Sequence, residues 1–224
     1  MDIAGHKCFI FDLDGTLLAS THMWHDIYGA ALARFGIAMP DDYVAHVNHL
    51  NIDGGTAYTA ERFGIAGGKA AVEKVWRELA GDAYAKEVEL TPHAKELLYA
   101  IKNAGKTLAI ATALDRDLAE ACLSRHGVWG LFDLFSGVGG SVRDKSTADV
   151  YLAVSERLGL SPAQCVVFED GYEGAASAHG AGFFVAGVRD CYSGADADRM
   201  REVCDRLEAD LGGYLADFAS PARD

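Results

Sequence analysis

Four short, almost uninterrupted apolar runs stand far apart in this chain, with segments of helical pattern between them. They are His6–Phe11 (HKCFIF), Lys106–Thr112 (KTLAIAT), Gln164–Phe168 (QCVVF) and Gly182–Gly187 (GFFVAG). An apolar run that does not alternate is a strand buried on both faces, the pattern of a parallel sheet covered by helices. The helical segments carry their own punctuation. Pro92–Asn103 follows Thr91, an N-cap with Pro at the first helical position, and stops before Gly105. Asp115–His126 stops before Gly127, and Thr147–Leu158 stops before Gly159. This alternation predicts an α/β fold with a doubly wound parallel sheet. Tyr214–Phe218 is a weaker strand candidate, an acidic helix is expected over Asp196–Leu211, and the tail from Ala219 is expected to be loose.

One stretch breaks the alternation. Between Ser20 and Val88 there is helical pattern and no strand: Trp24, Ile27, Tyr28, Ala31 and Phe35 recur at helical spacing, as do Ala70, Val72, Val75, Trp76 and Leu79. Roughly seventy residues are too many for an ordinary crossover. The reading is an inserted all-helical subdomain over 19–88, turning at Gly54-Gly55 and Gly67-Gly68, with 1–18 and 89–224 forming the α/β core. The chain would cross between the two, and hinge, at Leu17–Ser20 and Val88–Thr91. Ligands of open α/β sheets bind at the carboxyl ends of the strands, so an insert leaving the first strand there sits over the site like a lid.

Composition excludes several functions. Twenty basic against thirty-three acidic residues give a net charge of −13. No Lys/Arg stripe is visible, which argues against nucleic acid, and an acidic membrane would repel the chain. A phosphorylated ligand must then be held by a local positive site. No apolar run approaches the roughly 18–20 residues of a spanning helix. Met1–Lys7 lacks the layout of a signal peptide. The five cysteines, at 8, 122, 165, 191 and 204, form no CxxC pair and read as buried small hydrophobes in a reducing, cytoplasmic compartment. One large domain with a small insert is compatible with a monomer.

The chemistry gathers where strands end. Phe11-Asp12-Leu13-Asp14-Gly15-Thr16-Leu17 closes the first run with two carboxylates two residues apart. Buried like charges repel, a cost that a cation or a reactive role would resolve; a plain surface Asp-Gly turn is the alternative. Gly15 permits a tight turn and close approach of backbone to an anion. The second run ends at Thr112-Ala113, where the hydroxyl reads either as a helix cap or as a site group. The third ends in Phe168-Glu169-Asp170-Gly171, a second acidic pair at the same end of the sheet, and two such pairs suit a hard cation such as Mg²⁺. Lys145 precedes a helix start and is by itself an ordinary surface lysine.

In this order and spacing the pieces resemble the haloacid dehalogenase superfamily of phosphotransferases, in particular its β-phosphoglucomutase-like phosphatases with a helical cap after the first strand. The resemblance spans nearly the whole chain. Asp12-Leu13-Asp14-Gly15-Thr16-Leu17 looks like the first motif, Thr112 the second, Lys145 with Asp149-Val150-Tyr151 the third, and Val166–Asp170 with Gly174, Ala175 and Ala181-Gly182 the fourth. The resemblance implies Asp12 as nucleophile and Asp14 as general acid and base. It implies Mg²⁺ on Asp12, the backbone carbonyl of Asp14 and Asp170, with Glu169 a further ligand or a partner behind the ligands. Thr112, Ala113, Gly15 and Thr16 would bind the phosphoryl group, and Lys145 would neutralise charge. The chain departs from the pattern at Ser146-Thr147-Ala148, where prolines are usual, at Gly171, where Ser is usual, and at Ala19, often acidic.

The implied reaction is Mg²⁺-dependent hydrolysis of a small phosphorylated metabolite, a sugar phosphate or similar, through an aspartyl phosphate. A dehalogenase would need neither Asp14 nor Glu169-Asp170. The cap stretch His46–Ala60 has no Lys for a phosphonate-cleaving Schiff base and no Arg for the second phosphate of a phosphosugar mutase, the alternative activity. A non-enzymatic phosphate-ester binder would be expected to lack Asp12 or Asp14. His22 with His25, and His46 with His49, repeat one spacing and read as surface histidines; the sharper expectation is that His49 and Asn51 contact the leaving group. Trp24, Trp76 and Trp129 are read as core.

Overall fold

The computed structural model describes residues 2–47, 50, 52–137, 145–189 and 197–219. Six strands form one sheet: β1 (Cys8–Phe11), β2 (Thr107–Thr112), β3 (Leu134–Gly137), β4 (Cys165–Glu169), β5 (Phe184–Val188) and β6 (Arg206–Glu208). Their order is β3-β2-β1-β4-β5-β6 and every pairing is parallel. The expected α/β doubly wound sheet is therefore present. The order reverses between β1 and β4, the place where such sheets open a crevice at their carboxyl ends. Register brings the acidic motifs to it, because Phe11 lies opposite both Ile110 and Phe168.

Both faces of the central strand are covered. Phe9 and Phe11 enter one apolar cluster with Leu97, Leu98 and Ile101 of α5 (Ala94–Asn103) and Leu123 of α6 (Arg116–Arg125). Cys8 and Ile10 point the other way, to Val150 and Val154 of α7 (Asp149–Leu158) and Ala175 and Ala178 of α8 (Tyr172–Gly180). This two-sided burial is why β1 reads as a continuous apolar run. Fully burying each such side chain contributes about 1.5–3 kcal/mol.

Between β1 and α5 the described residues form four helices and no strand: α1 (Thr21–Arg34), α2 (Tyr43–Val47), α3 (Ile52–Phe63) and α4 (Gly68–Lys86). They hold an apolar cluster of their own, built on Tyr28, Leu32, Tyr43, Val72 and Trp76. Where the chain leaves and returns, Leu18 bridges Leu90, Ala19 N–H donates to the Glu89 carbonyl at 2.9 Å, and Thr91 N–H donates to that of Leu17 at 2.9 Å.

Several local expectations are corrected. Gly54 and Gly55 do not turn the chain but lie inside α3; a Cβ on Gly55 would stand 2.9 Å from the Trp76 ring, so the glycine serves close helix packing. Thr91 does not cap α5, since its hydroxyl donates to the Thr16 carbonyl at 2.7 Å and the helix starts after His93. The expected helix over Asp196–Leu211 is a shorter α9 (Ala197–Val203) followed by β6. Tyr214–Phe218 is not a strand but part of a 3₁₀ helix, Leu211–Phe218. The Tyr214 hydroxyl anchors it by donating to the Gly187 carbonyl at 2.7 Å. The tail beyond Ala219 lies outside the described residues. Among the described residues no helix is long and apolar enough to cross a membrane.

Candidate active site

Asp12 follows the last residue of β1, and its N–H donates to the Phe168 carbonyl at 3.1 Å, which ties the motif to the end of β4. Only 5% of Asp12 is exposed. Its carboxylate is paired with the ammonium of Lys145, which also donates to Glu169 Oε1 at 2.6 Å. Glu169 accepts in addition from the Tyr151 hydroxyl at 2.6 Å and, at Oε2, from the Gly171 N–H at 3.2 Å. The Lys145 turn is held from behind, where Ser177 Oγ donates to the Lys145 carbonyl at 2.9 Å.

Asp170 Oδ1 accepts from Thr16 Oγ1 at 2.9 Å. The fully buried Thr16 hydroxyl, expected on the substrate, is thus turned to Asp170. Gly15 is required at its position: its φ is +86°, and a Cβ there would collide with the Asp170 carboxylate. The N–H groups of Gly15 and Thr16 are used inside the loop, on Leu18 and Leu13. Those of Leu13 and Asp14 donate to no acceptor among the described residues. Thr112, 1% exposed, accepts from the Leu114 N–H at 3.0 Å and retains its hydroxyl proton for a ligand; Ala113 beside it is exposed.

Carboxylate oxygens of Asp12, Glu169 and Asp170 lie within 4.8 Å of one another. Burial pushes the Asp12 carboxyl up to about 7 against the pull of Lys145. Burial also raises Asp170 well above the usual range, and the charges of Asp12 and Glu169 add to it. Asp14 is raised by burial, with hydrogen bonds from Ser20 and Tyr84 opposing. Burial would lower the Lys145 ammonium, but the Asp12 and Glu169 carboxylates hold it above its ordinary value. The cluster is a site of uncompensated negative charge with one cation in it.

Asp12, Asp14, Thr112, Lys145, Glu169 and Asp170 thus converge at one end of the sheet. His49 and Asn51 lie outside the described residues. His46 is exposed and occupied locally, its Nδ1 2.8 Å from the Asp42 carbonyl and its ring stacked on Tyr58. His25 is exposed beside Asp26. The sequence places Tyr151 in the third motif with Lys145 but gives it no role; it stands in the first turn of α7, and its hydroxyl reaches Glu169. Sequence reading missed Ser20 and Tyr84, which donate to Asp14 Oδ1, and it read Trp24 only as core, whereas Trp24 Nε1 donates to the Tyr84 oxygen at 2.9 Å.

Comparison with known proteins places this arrangement. The family model for haloacid dehalogenase-like hydrolases matches residues 6–182, and the chain belongs to that family. Among curated relatives, hexitol phosphatase A of Escherichia coli (strain K12) is 32% identical over 202 residues, covering 88% of this chain and 88% of that protein. Validoxylamine A 7'-phosphate phosphatase of Streptomyces hygroscopicus subsp. limoneus is 28% identical over 210 residues, covering 92% and 94%. Among solved structures, a predicted phosphoglycolate phosphatase from Haemophilus somnus superposes with a TM-score of 0.80 at 21% identity, covering 95% of this chain and 97% of that one.

Proposed function

We propose that this chain is a Mg²⁺-dependent phosphatase that hydrolyses a small phosphorylated metabolite, a sugar or polyol phosphate, through an aspartyl phosphate on Asp12. The observation that carries the reading is the Asp12–Glu169–Asp170 cluster with the Lys145 ammonium bound into it. The donor set is all oxygen, and burial raises the carboxyls of Asp12 and Asp170 above their ordinary range, which fits a site built for a hard divalent cation. Asp12, Asp170 and the carbonyl of Asp14 would hold the ion, with Glu169 as a further ligand or as the support behind Lys145. When bound, the ion offsets repulsion between the Asp12 carboxylate and the phosphate dianion.

The chain's own residues supply the steps. An Asp12 carboxylate oxygen attacks phosphorus and the bond from phosphorus to the leaving oxygen breaks, with Asp14 delivering the proton that oxygen needs. Asp14, now ionised, takes a proton from water; that water attacks phosphorus, inorganic phosphate leaves and Asp12 is regenerated. The Thr112 hydroxyl and the N–H groups of Ala113, Leu13 and Asp14 receive the phosphoryl oxygens, and Lys145 neutralises charge that grows in the transition state. Residues 19–88 are read as a cap over the core formed by 1–18 and 89–224, a reading supported by the insert's own apolar cluster and the paired crossings at Leu18 and Leu90. His49 and Asn51 are assigned to the leaving group.

A cytoplasmic monomer is the expected setting. Cys8, Cys122, Cys165 and Cys204 are free thiols, and Tyr99 is the one large apolar side chain exposed among the described residues.

Phosphate release across a panel of sugar, polyol and other small phosphomonoesters tests the reading, with Mg²⁺ and with chelator, and with Asp12→Asn as the blank. Metal-dependent release that vanishes in the blank is expected. Conversion of β-glucose 1-phosphate to glucose 6-phosphate with little free phosphate would make the enzyme a mutase instead.

A further inference from the structure

The carboxylate of Asp14 is gripped by the helical insert. Tyr84 of α4 is wholly buried and donates its phenolic hydrogen bond to Asp14 Oδ1. Ser20, immediately before α1, donates to the same oxygen at 2.5 Å. Trp24, one turn along α1, donates from Nε1 to the Tyr84 oxygen at 2.9 Å. The phenol has one proton to give, and Asp14 receives it; the indole occupies the phenol's accepting side. A relay from Trp24 through Tyr84 to Asp14 therefore joins two helices of the insert to a core carboxylate 70 residues away in sequence. Two donors on one oxygen pin that oxygen and so set where the other one points.

We propose that Tyr84, backed by Trp24, is a positioning residue for Asp14. The inference rests on the assignment of Asp14 as the acid made above. It requires no proton to leave Tyr84: the phenol keeps its hydrogen while Asp14 passes a proton to the leaving oxygen as the bond to phosphorus breaks.

A role in aiming the acid separates from a role in folding by the leaving group. A sugar or polyol alkoxide must be protonated as it departs, whereas 4-nitrophenolate is stable as an anion and needs no acid. The experiment measures kcat/KM, which reports the attack on substrate and is not masked by slow hydrolysis of the intermediate, for sorbitol 6-phosphate and for 4-nitrophenyl phosphate. Wild type, Asp14→Asn, Tyr84→Phe and Trp24→Phe are compared. Tyr84→Phe is expected to lose about tenfold or more on the polyol ester and less than about twofold on the aryl ester, against the roughly 10²–10⁴-fold a general acid contributes in full. Trp24→Phe should show the same selectivity at smaller size, which keeps the inference testable should Tyr84→Phe fold poorly. Equal losses on the two esters, or no loss, would overturn it. If Asp14→Asn is selective and Tyr84→Phe is not, the inference alone fails. If Asp14→Asn itself shows no selectivity, the acid assignment fails and the inference with it.

Discussion

The Lys145 ammonium donates to Glu169 Oε1 at 2.6 Å while also pairing with Asp12, so one cation from the turn before α7 links the ends of β1 and β4. Only 15% of the Lys145 side chain and 3% of that of Glu169 are exposed, so solvent screens this contact little. Removing the cation leaves several buried carboxylates facing one another. Lys145→Ala is expected to lower kcat by about 10²–10³-fold, the usual cost of a lost charge-stabilising donor. Lys145→Arg should not restore it, because a planar guanidinium does not fit where a compact ammonium is enclosed. Steady-state kinetics on the best ester of the panel decide the matter.

A second expectation concerns Gly174 in α8. A Cβ there would lie 2.5 Å from Glu169 Oε1 and 2.8 Å from the Tyr151 hydroxyl. Both atoms belong to the network that holds Lys145 and neither can retreat without breaking a hydrogen bond. Gly174→Ala should destabilise the fold by about 1–3 kcal/mol and lower activity together with stability. Urea unfolding with unchanged stability and full activity would contradict this.

The charge at the site also sets a pH dependence. Burial raises Asp12 from 3.8 to about 7 and raises Asp14 and Asp170 in the same direction. The folded chain then holds these protons more tightly than the unfolded chain. The stabilisation is complete below the unfolded pKa near 3.8 and is lost as pH rises through about 7. Without divalent cations, Tm is expected to fall from about pH 5 to about pH 8, and to fall less in Asp12→Asn. Saturating Mg²⁺ should narrow the difference, because the ion compensates the same charge. A thermal series in which wild type and Asp12→Asn run parallel would exclude this.

Far from the site, Arg206 is the hub of the C-terminal segment. Its guanidinium meets Glu208 at 2.6 Å and Asp217 at 2.7 Å, donates to the Gly213 carbonyl, and lies 4.6 Å from the centroid of the Tyr214 ring. The side chains of Arg206 and Asp217 are only 18% and 12% exposed. Arg206→Ala should cost about 3 kcal/mol by leaving carboxylates unpaired, with kcat almost unchanged. Unfolding midpoints and kinetics measured on the same preparation check both halves.

The parts of the fold that were legible in the sequence are those with two-sided burial. Phe9, Phe11, Val166 and Phe168 are all fully buried, and such strands must be written as apolar runs. β3 and β6 escaped notice because they are the edges of the sheet: every residue of β3 is half-buried, and β6 is Arg-Leu-Glu. Tyr214–Phe218 misled for a different reason, since an apolar segment that packs as a 3₁₀ helix, with Tyr214 fully buried and its neighbours less so, cannot be told from a short strand by its apolar content alone.

The site divides along the same line. Asp12, Asp14, Glu169 and Asp170 could be picked out as acidic pairs where strands end, and the order of elements carries such positions to one end of a parallel sheet, whereas Thr112 and Lys145 gained a role only from the family resemblance. Tyr84 and Trp24 are aromatic residues of helical segments, indistinguishable in sequence from core, and Tyr151 stands in the third motif with no role attached to it. What gives them work is where their hydroxyl and indole groups arrive after packing, on Asp14, on Tyr84 and on Glu169. Sequence by itself determined the four inner strands, the acidic pairs at their ends and the presence of a helical insert, since these follow from local pattern. Only the tertiary structure decided which buried donors meet which carboxylates, because that depends on distances between segments that no local pattern encodes.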